Sequence, residues 1–397
     1  MFFKKKENQN KDFTNALVFD FGSGSLKILV CRYTKEGAEI IDGRKLNYGS
    51  GNGILETVNI LDAFRDPLAE KIAELTADIE KPEKAVIGVS GQRVEGYTSH
   101  INYRRARPDE KIDKAEFNII LQRVEQRADQ LMRKMIAFET AAGNSVALTN
   151  SEVLEVTLDG YAVASPVGSH GEKISFVVYN GYAQGEFLAA ATKLVETQGL
   201  DIVSTAPTVY AESRNLLESA NPNASFCVID IGEYASEIGV VWEGRILGHV
   251  SFGVAGHSFT ESIASALQLD HAAAETAKFG FTAGKLTDKM ALEIREAVEA
   301  DCKVFLSGLE LVLSDFPGLQ EFPSQFYVCG GGSLLPAILS TLRSAEWRTD
   351  LAVPKKIRFD QANPALFRGY SDKSARLISP ADTPTLTLAL DATDLLI

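Results

Sequence analysis

The sequence predicts an α/β protein of two related halves, with a smaller α+β module inserted in the first. Three observations carry that expectation. Residues 15–33, NALVFDFGSGSLKILVCRY, read as two apolar strands joined by a glycine turn, with Asp20 at the end of the first. Residues 225–250, SFCVIDIGEYASEIGVVWEGRILGHV, repeat the pattern around Asp230. Elsewhere, short apolar runs alternate with stretches whose apolar residues recur every three or four positions, the signature of strands alternating with helices.

The remaining elements follow in order. DPLAEKIAELTADIEKPEK has helical spacing and stops at Pro82, before the buried-strand run AVIGVS. DEKIDKAEFNIILQRVEQRADQLMRKMIAF gives the longest amphipathic helix signal, with Asp113 as N-cap and Glu116 three residues on. The strand-like segments YTSHINYRR and VLEVTLDGYAVAS flank it, making an α+β module of residues 84–168. KISFVVYN, EFLAAATKLVETQG, DIVSTA and TVYAESRNLLESA read as strand, helix, strand and helix. After the second hairpin come two long helical patterns, AGHSFTESIASALQLD and TDKMALEIREAVEADCKVFLSGLELVLSDF. FYVCGGGSLLPAILSTLR then runs from a strand through three glycines into a helix, and SARLISP and TLTLALDATDLLI read as short strands. The expected division is a mobile tail at 1–13, a first domain from 14–83 and 169–200, the module at 84–168, and a second domain at 201–397.

A chain of 397 residues, 45% hydrophobic and 23% charged, has the material for several cores. Its net charge of −13 argues against general nucleic-acid binding, which needs a concentrated basic surface. No apolar run is long enough to span a bilayer, and MFFKKKENQNKDF lacks the features of a secretory signal, so the expectation is a cytoplasmic protein. Cys31, Cys227, Cys302 and Cys329 are too dispersed for a metal or redox motif, and burial is expected of those in apolar runs. His249, His257 and His271 fall in different predicted elements with no metal spacing.

The chemistry concentrates at the bends. Asp20, Gly22, Ser23, Gly24, Ser25 and Lys27 have the composition of a phosphate cradle: glycines let backbone N–H groups approach an anion, and a lysine adds charge. Asp20 would hold Mg²⁺ through water, because that ion keeps most of its hydration. Asp230 and Gly232 occupy the equivalent bend, and Gly330, Gly331, Gly332 and Ser333 form a strand-to-helix junction suited to a nucleotide.

These three segments resemble the phosphate-one, phosphate-two and adenosine motifs of the actin, Hsp70 and sugar-kinase superfamily, and DFGSGSLK is similar to actin's first loop. The resemblance implies an actin-like (ribonuclease H-like) duplicated two-domain fold closing over ATP and Mg²⁺, with Asp20 and Asp230 as water-mediated metal residues. The inserted module, through KAVIGVSGQRVEGYTSHINYRRARPDEKIDKAEF and DGYAVASPVGSHGEKISFVVYN, is similar to the SHS2-type one-C domain of FtsA, a bacterial cell-division adaptor. FGVAGHSFTESIASALQLDHAAAETAKFG also fits that family. What this implies is a polymerising adaptor, at most a weak ATPase, whose partners are itself in a head-to-tail filament, the tubulin-like FtsZ or other division proteins, and the inner face of the cell membrane.

Three features depart from the FtsA pattern. Glu233 and Tyr234 stand in a turn usually rich in glycine and threonine, where a carboxylate would repel phosphate and a tyrosine would be strained at positive φ. FGFTAGKLTDKM is short where FtsA carries its two-B subdomain, which weakens the expectation of FtsZ contact. The amphipathic membrane helix that follows the FtsA core does not appear before Ile397, and Met1–Lys6 reads as a solubilising tail before it reads as a weak anchor. Arg104, Arg105 and Arg107 make a basic patch on the module. A PilM-like scaffold of type IV pilus assembly, which shares the fold and module and binds a peptide of a membrane partner, is the alternative resemblance. A metabolic kinase of the superfamily is disfavoured because no carboxylate stands out as a base and Ala206 precedes Pro207.

Overall fold

The computed structural model describes residues 13–48, 60–92, 94–139, 145–221 and 223–397, so the basic start Met1–Lys6 lies outside the described residues. β1 (Phe13–Phe21) and β2 (Ser25–Thr34) form the first hairpin, and β3 (Gly37–Asn47) extends it. After α1 (Ile60–Leu75), β4 (Lys84–Val89) lies parallel to β1 on its free side. The module follows as β5 (Glu95–Arg104), α2 (Lys114–Glu139), β6 (Val146–Leu158), β7 (Tyr161–Ala162) and β8 (Lys173–Gln184). α3 (Gly185–Glu196) leads to β9 (Asp201–Pro207), parallel to β4, and α4 (Thr208–Ser219) crosses into the second half.

That half opens with β10 (Phe226–Ile231), β11 (Ser236–Trp242) and β12 (Arg245–Phe252). Three helices follow, α5 (Gly256–Leu267), α6 (His271–Thr282) and α7 (Asp288–Ser314). β13 (Gln325–Cys329) lies parallel to β10, and a single 3₁₀ turn at Gly331–Leu334 leads into α8 (Pro336–Ser344). β14 (Arg358–Gln361), β15 (Tyr370–Asp372), α9 (Thr383–Asp391) and α10 (Thr393–Leu396) complete the described chain.

Two sheets result, ordered β15-β3-β2-β1-β4-β9 and β14-β13-β10-β11-β12-β5-β8-β6-β7. Their centres repeat one pattern: β1 is antiparallel to β2 and parallel to β4, as β10 is antiparallel to β11 and parallel to β13. The duplication read from the two hairpins is therefore a duplication of sheet topology. α4 and α9 pack against each other between the sheets, within a core that includes Val209, Tyr210, Leu386 and Leu388.

Beyond β3 and α6, which the sequence reading did not separate out, it and the structure part at three places. TLTLALDATDLLI, read as a strand, forms α9 and α10. The Thr/Leu alternation misleads because α9 is buried on every side: Thr383 donates to Ala362 O (2.6 Å) and Thr385 to Asp20 Oδ2 (2.8 Å), so the threonines are as interior as the leucines. SARLISP forms no strand; the preceding residues Tyr370–Asp372 pair with β3 instead. At the module's edges, β4 completes the first sheet, whereas β8, which the sequence reading gave to the first domain, is the central strand of the module. An apolar run shows that a strand is buried, not which sheet it joins.

The module packs its own core of Ile101, Ile120, Val124, Ile174, Phe176 and Val178. It joins the second sheet edge to edge where Gly248 pairs Tyr97 and His249 pairs Gly96. Asp113 caps α2, accepting from the Glu116 amide at 2.7 Å. The three arginines form no free patch: Arg105 is buried and held by Glu116 at 2.8 Å, while Arg104 pairs with Glu172 and Arg107 with Glu110. All four cysteines are buried and free.

Candidate functional site: a cleft between two hairpin bends

The two bends are closed by the same hydrogen bond. Gly22 N–H donates to Ser25 O and Gly232 N–H to Ala235 O, each at 3.0 Å. Because β1 and β10 occupy equivalent positions in their sheets, the bends face each other. They meet at their tips, where Tyr234 N–H donates to the Ser23 hydroxyl at 3.0 Å. Behind them lies a cavity of about 170 Å³.

The structure brings Asp20, Gly22, Ser23, Gly24, Ser25, Lys27, Asp230, Gly232, Gly330, Gly331 and Gly332 to this one cleft. Ser333 is not in the lining: it is fully buried and its hydroxyl donates to Gly330 O at 2.7 Å, bracing the glycine bend from behind. Gly330 has φ +78, and a methyl group there would overlap Asp230 Oδ1 and stand 2.5 Å from Ile231 O. Only glycine allows β13 to turn so tightly against β10.

Asp20 is 2% exposed and accepts from Thr385 Oγ1 (2.8 Å) and Thr208 Oγ1 (3.4 Å). Lys27 Nζ lies 3.5 Å from Asp20 Oδ2 and donates to Ala381 O at 2.9 Å. Burial works against the Lys27 charge, but Asp20, Asp230 and Asp382 outweigh it and its pKa is raised. Burial pushes Asp230 up to about 6, with Lys27 opposing and Asp20 adding to the rise.

Two further acids lie against Asp230, Glu237 in the cleft lining and Glu212 behind it. Glu212 on α4 and Glu237 on β11 are buried, and both pKa values are raised well above the usual carboxylate range, by burial first and then by Asp230. Glu212 Oε2 and Glu237 Oε1 lack any hydrogen-bond partner. Four carboxyl groups thus converge around Asp230, and unpaired buried oxygens of this kind are costly. Asp20 and Asp230 both line the cleft, and a hydrated divalent cation there would offset part of the crowded negative charge, so the residues present fit Mg²⁺.

The mouth is lined by Lys45 on β3 and by Glu275, Lys278, Phe279 and Thr282 on α6. Lys278 Nζ bonds Glu275 (2.7 Å), Thr260 Oγ1 (2.6 Å) and Gly256 O (2.9 Å), fixing α6 to the start of α5. Gly256 N–H and His257 N–H in turn donate to Gly232 O (3.0 Å) and Glu233 O (2.6 Å), so α5 buttresses the second bend. Bend amides, Lys27 and Lys45 make an anion-accepting wall, while Leu334, Leu335, Phe279 and Pro384 offer apolar surface for a base. That combination fits a magnesium-bound nucleotide.

Glu233 is the opposing element. Its carboxylate lies against Gly24, where even a methyl group would overlap it, and so takes up room beside the first bend. Tyr234 is not strained, since neither residue is among those with positive φ.

The sequence reading missed Lys45, Glu212 and Glu237, and gave no role to Lys278, which lies in the segment matched to the FtsA pattern. β3 was not recognised, which hid Lys45. Glu237 carried a usable signal, an acid inside the apolar strand SEIGVVW, whereas Glu212, two residues before Arg214 in a mixed helix, carried none.

The paired sheets and the cleft between them define an actin-like fold. No protein-family model matches the chain. Its sequence is similar to the cell division protein FtsA of two strains of Staphylococcus epidermidis, 24% identical over 269 residues, covering 65% of this chain and 53% of the relative. The match thus spans about half the length of those relatives. Among solved structures, the PilM-PilN type IV pilus biogenesis complex aligns with a TM-score of 0.65 at 20% identity, covering 95% of this chain and 98% of the other. Among the described residues no helix is long and apolar enough to cross a membrane.

Proposed function

We propose that this chain is an ATP-binding, actin-like adaptor of bacterial cell division, similar in role to FtsA, which assembles head to tail and links division proteins to the membrane. The observation that supports the reading is the cleft: two topologically equivalent bends, a glycine junction and a surplus of buried carboxylate meet at one place. ATP would contribute phosphates and a base able to contact both halves at once. Asp20 and Asp230 would hold Mg²⁺ through water, the Ser23–Ser25 backbone and Lys27 would take phosphate, and Gly330–Gly332 the adenosine side. Contacts shared by both halves favour the closed arrangement, and a fixed closed shape with a heterologous interface grows into a filament.

A second reading, a PilM-like scaffold that captures a peptide of a membrane partner, is favoured by the near-complete overlap with the PilM chain. It is also favoured by the short link of residues 283–287 between α6 and α7, where FtsA carries a subdomain. Sedimentation with and without Mg-ATP, beside titration with the cytoplasmic peptide of a pilus membrane protein, separates them. ATP-dependent sedimentation supports the division adaptor. A monomer that binds the peptide supports the pilus scaffold, and neither behaviour sinks both.

A further inference from the structure

We propose that His257, Glu261 and His271 form a binding site for a divalent transition-metal ion of the zinc class, at the outer lip of the cleft. His257 and Glu261 are four residues apart on α5 and so share a face. Gln268, with left-handed backbone at φ 53, ends α5 and turns the chain so that His271, the first residue of α6, returns to that face.

His257 Nδ1 and His271 Nε2 lie 3.2 Å apart. Glu261 Oε1 is 3.7 Å from His271 Nε2 and 3.8 Å from His257 Nε2, and one donor atom from each of the three residues lies within 4.8 Å of the other two. Metal–ligand bonds of about 2.0–2.1 Å at tetrahedral angles place neighbouring donors about 3.3 Å apart. His257 Nδ1 and His271 Nε2 are already at that spacing, whereas the 3.8 Å approach of Glu261 is to the other nitrogen of His257, so the exposed carboxylate has to swing in from within the 4.8 Å that the three donors share.

The donor set decides the class of ion. Two imidazoles and one carboxylate suit zinc, cobalt or nickel, whereas magnesium and calcium require oxygen. His257 and His271 are 32% and 30% exposed at their side chains and Glu261 is 59% exposed, so an ion can arrive from solvent. His249 takes no part, being buried on β12 against Tyr179.

The surroundings connect the site to the cleft. The Tyr234 ring packs on His257 with centroids 4.6 Å apart, and the His257 amide holds Glu233 O. An ion joining α5 to α6 would therefore stiffen the bend whose Tyr234 amide reaches Ser23. This inference does not depend on the nucleotide reading.

The test is calorimetric titration of the full, tag-free chain with zinc chloride, and absorption spectroscopy with cobalt chloride. His257→Ala, His271→Ala and Glu261→Gln are measured alongside, after thermal melts without metal confirm that each folds. The expected result is one zinc ion per chain and a tetrahedral cobalt spectrum. Affinity should fall at least about a hundredfold in either histidine variant and about tenfold in Glu261→Gln, with magnesium chloride giving no heat at this site. Absence of zinc binding, or binding that survives both histidine substitutions, would overturn the proposal and leave a plain imidazole–imidazole hydrogen bond.

Discussion

The Tyr234 amide donates to the Ser23 hydroxyl oxygen at 3.0 Å, joining the bends of the two hairpins across the cleft. It is a direct tie between the duplicated halves at the place where phosphate is proposed to bind. A part-buried hydrogen bond of this kind contributes about 1 kcal/mol. Ser23→Ala should therefore speed exchange of the Tyr234 amide and weaken nucleotide binding about fivefold. Hydrogen exchange and calorimetry check both, and unchanged exchange would mean that the tie does not hold the cleft.

Glu233 stands against Gly24 with its carboxylate in the space phosphate would approach. Neutralising it removes a repulsion without changing shape. Glu233→Gln should raise affinity for Mg-ATP about tenfold, roughly 1.4 kcal/mol, and should matter less for adenosine, which has no phosphate. An equal gain for both ligands would show that the effect is steric.

Gly330 and Gly331 are neighbours with opposite sensitivities. A methyl group at Gly330 meets Ile231 N at 2.8 Å and would sit at φ +78, whereas at Gly331 it meets nothing within 4 Å. Gly330→Ala should lower stability by about 2 kcal/mol or more, and Gly331→Ala should leave it within about 0.5 kcal/mol while weakening nucleotide binding. Urea unfolding of the two variants gives the comparison.

The bends were legible in the sequence because phosphate-binding chemistry concentrates in a few residue types at short spacing. Asp20, Gly22–Ser25 and Lys27 needed only local reading, as did Asp230 and Gly232. What escaped depended on tertiary context. The threonines of α9 look like the polar face of a strand until Asp20 and Ala362 O are seen to receive them. Glu212 and Glu237 look like ordinary acids until the fold buries them beside Asp230. His257 and His271 meet only because the chain turns at Gln268.

His249, where the module joins the second sheet, should give the protein an acid sensitivity. It is fully buried, bonds Tyr179 Oη at 2.9 Å, and burial depresses its pKa to about 3. The folded state keeps it neutral while the unfolded chain takes up a proton below the ordinary value of about 6.5. Its contribution is thus fully present above that value and is lost as pH falls toward 3. Between pH 7 and 5 the loss should reach about 2 kcal/mol, at 1.36 kcal/mol per unit. His249→Gln should remove that part of the pH dependence, and parallel slopes in the two proteins would contradict it.

The most direct test of the nucleotide cleft is isothermal titration of the protein with Mg-ATP beside an Asp20→Asn variant, both first shown to be folded by circular dichroism. The account predicts saturable binding near one site per chain, weakened at least about tenfold in the variant, because Asp20 is the floor carboxylate assigned to Mg²⁺. Absence of binding in the unaltered protein, or equal affinity in both, would mean that the cleft keeps the actin-like shape without the nucleotide.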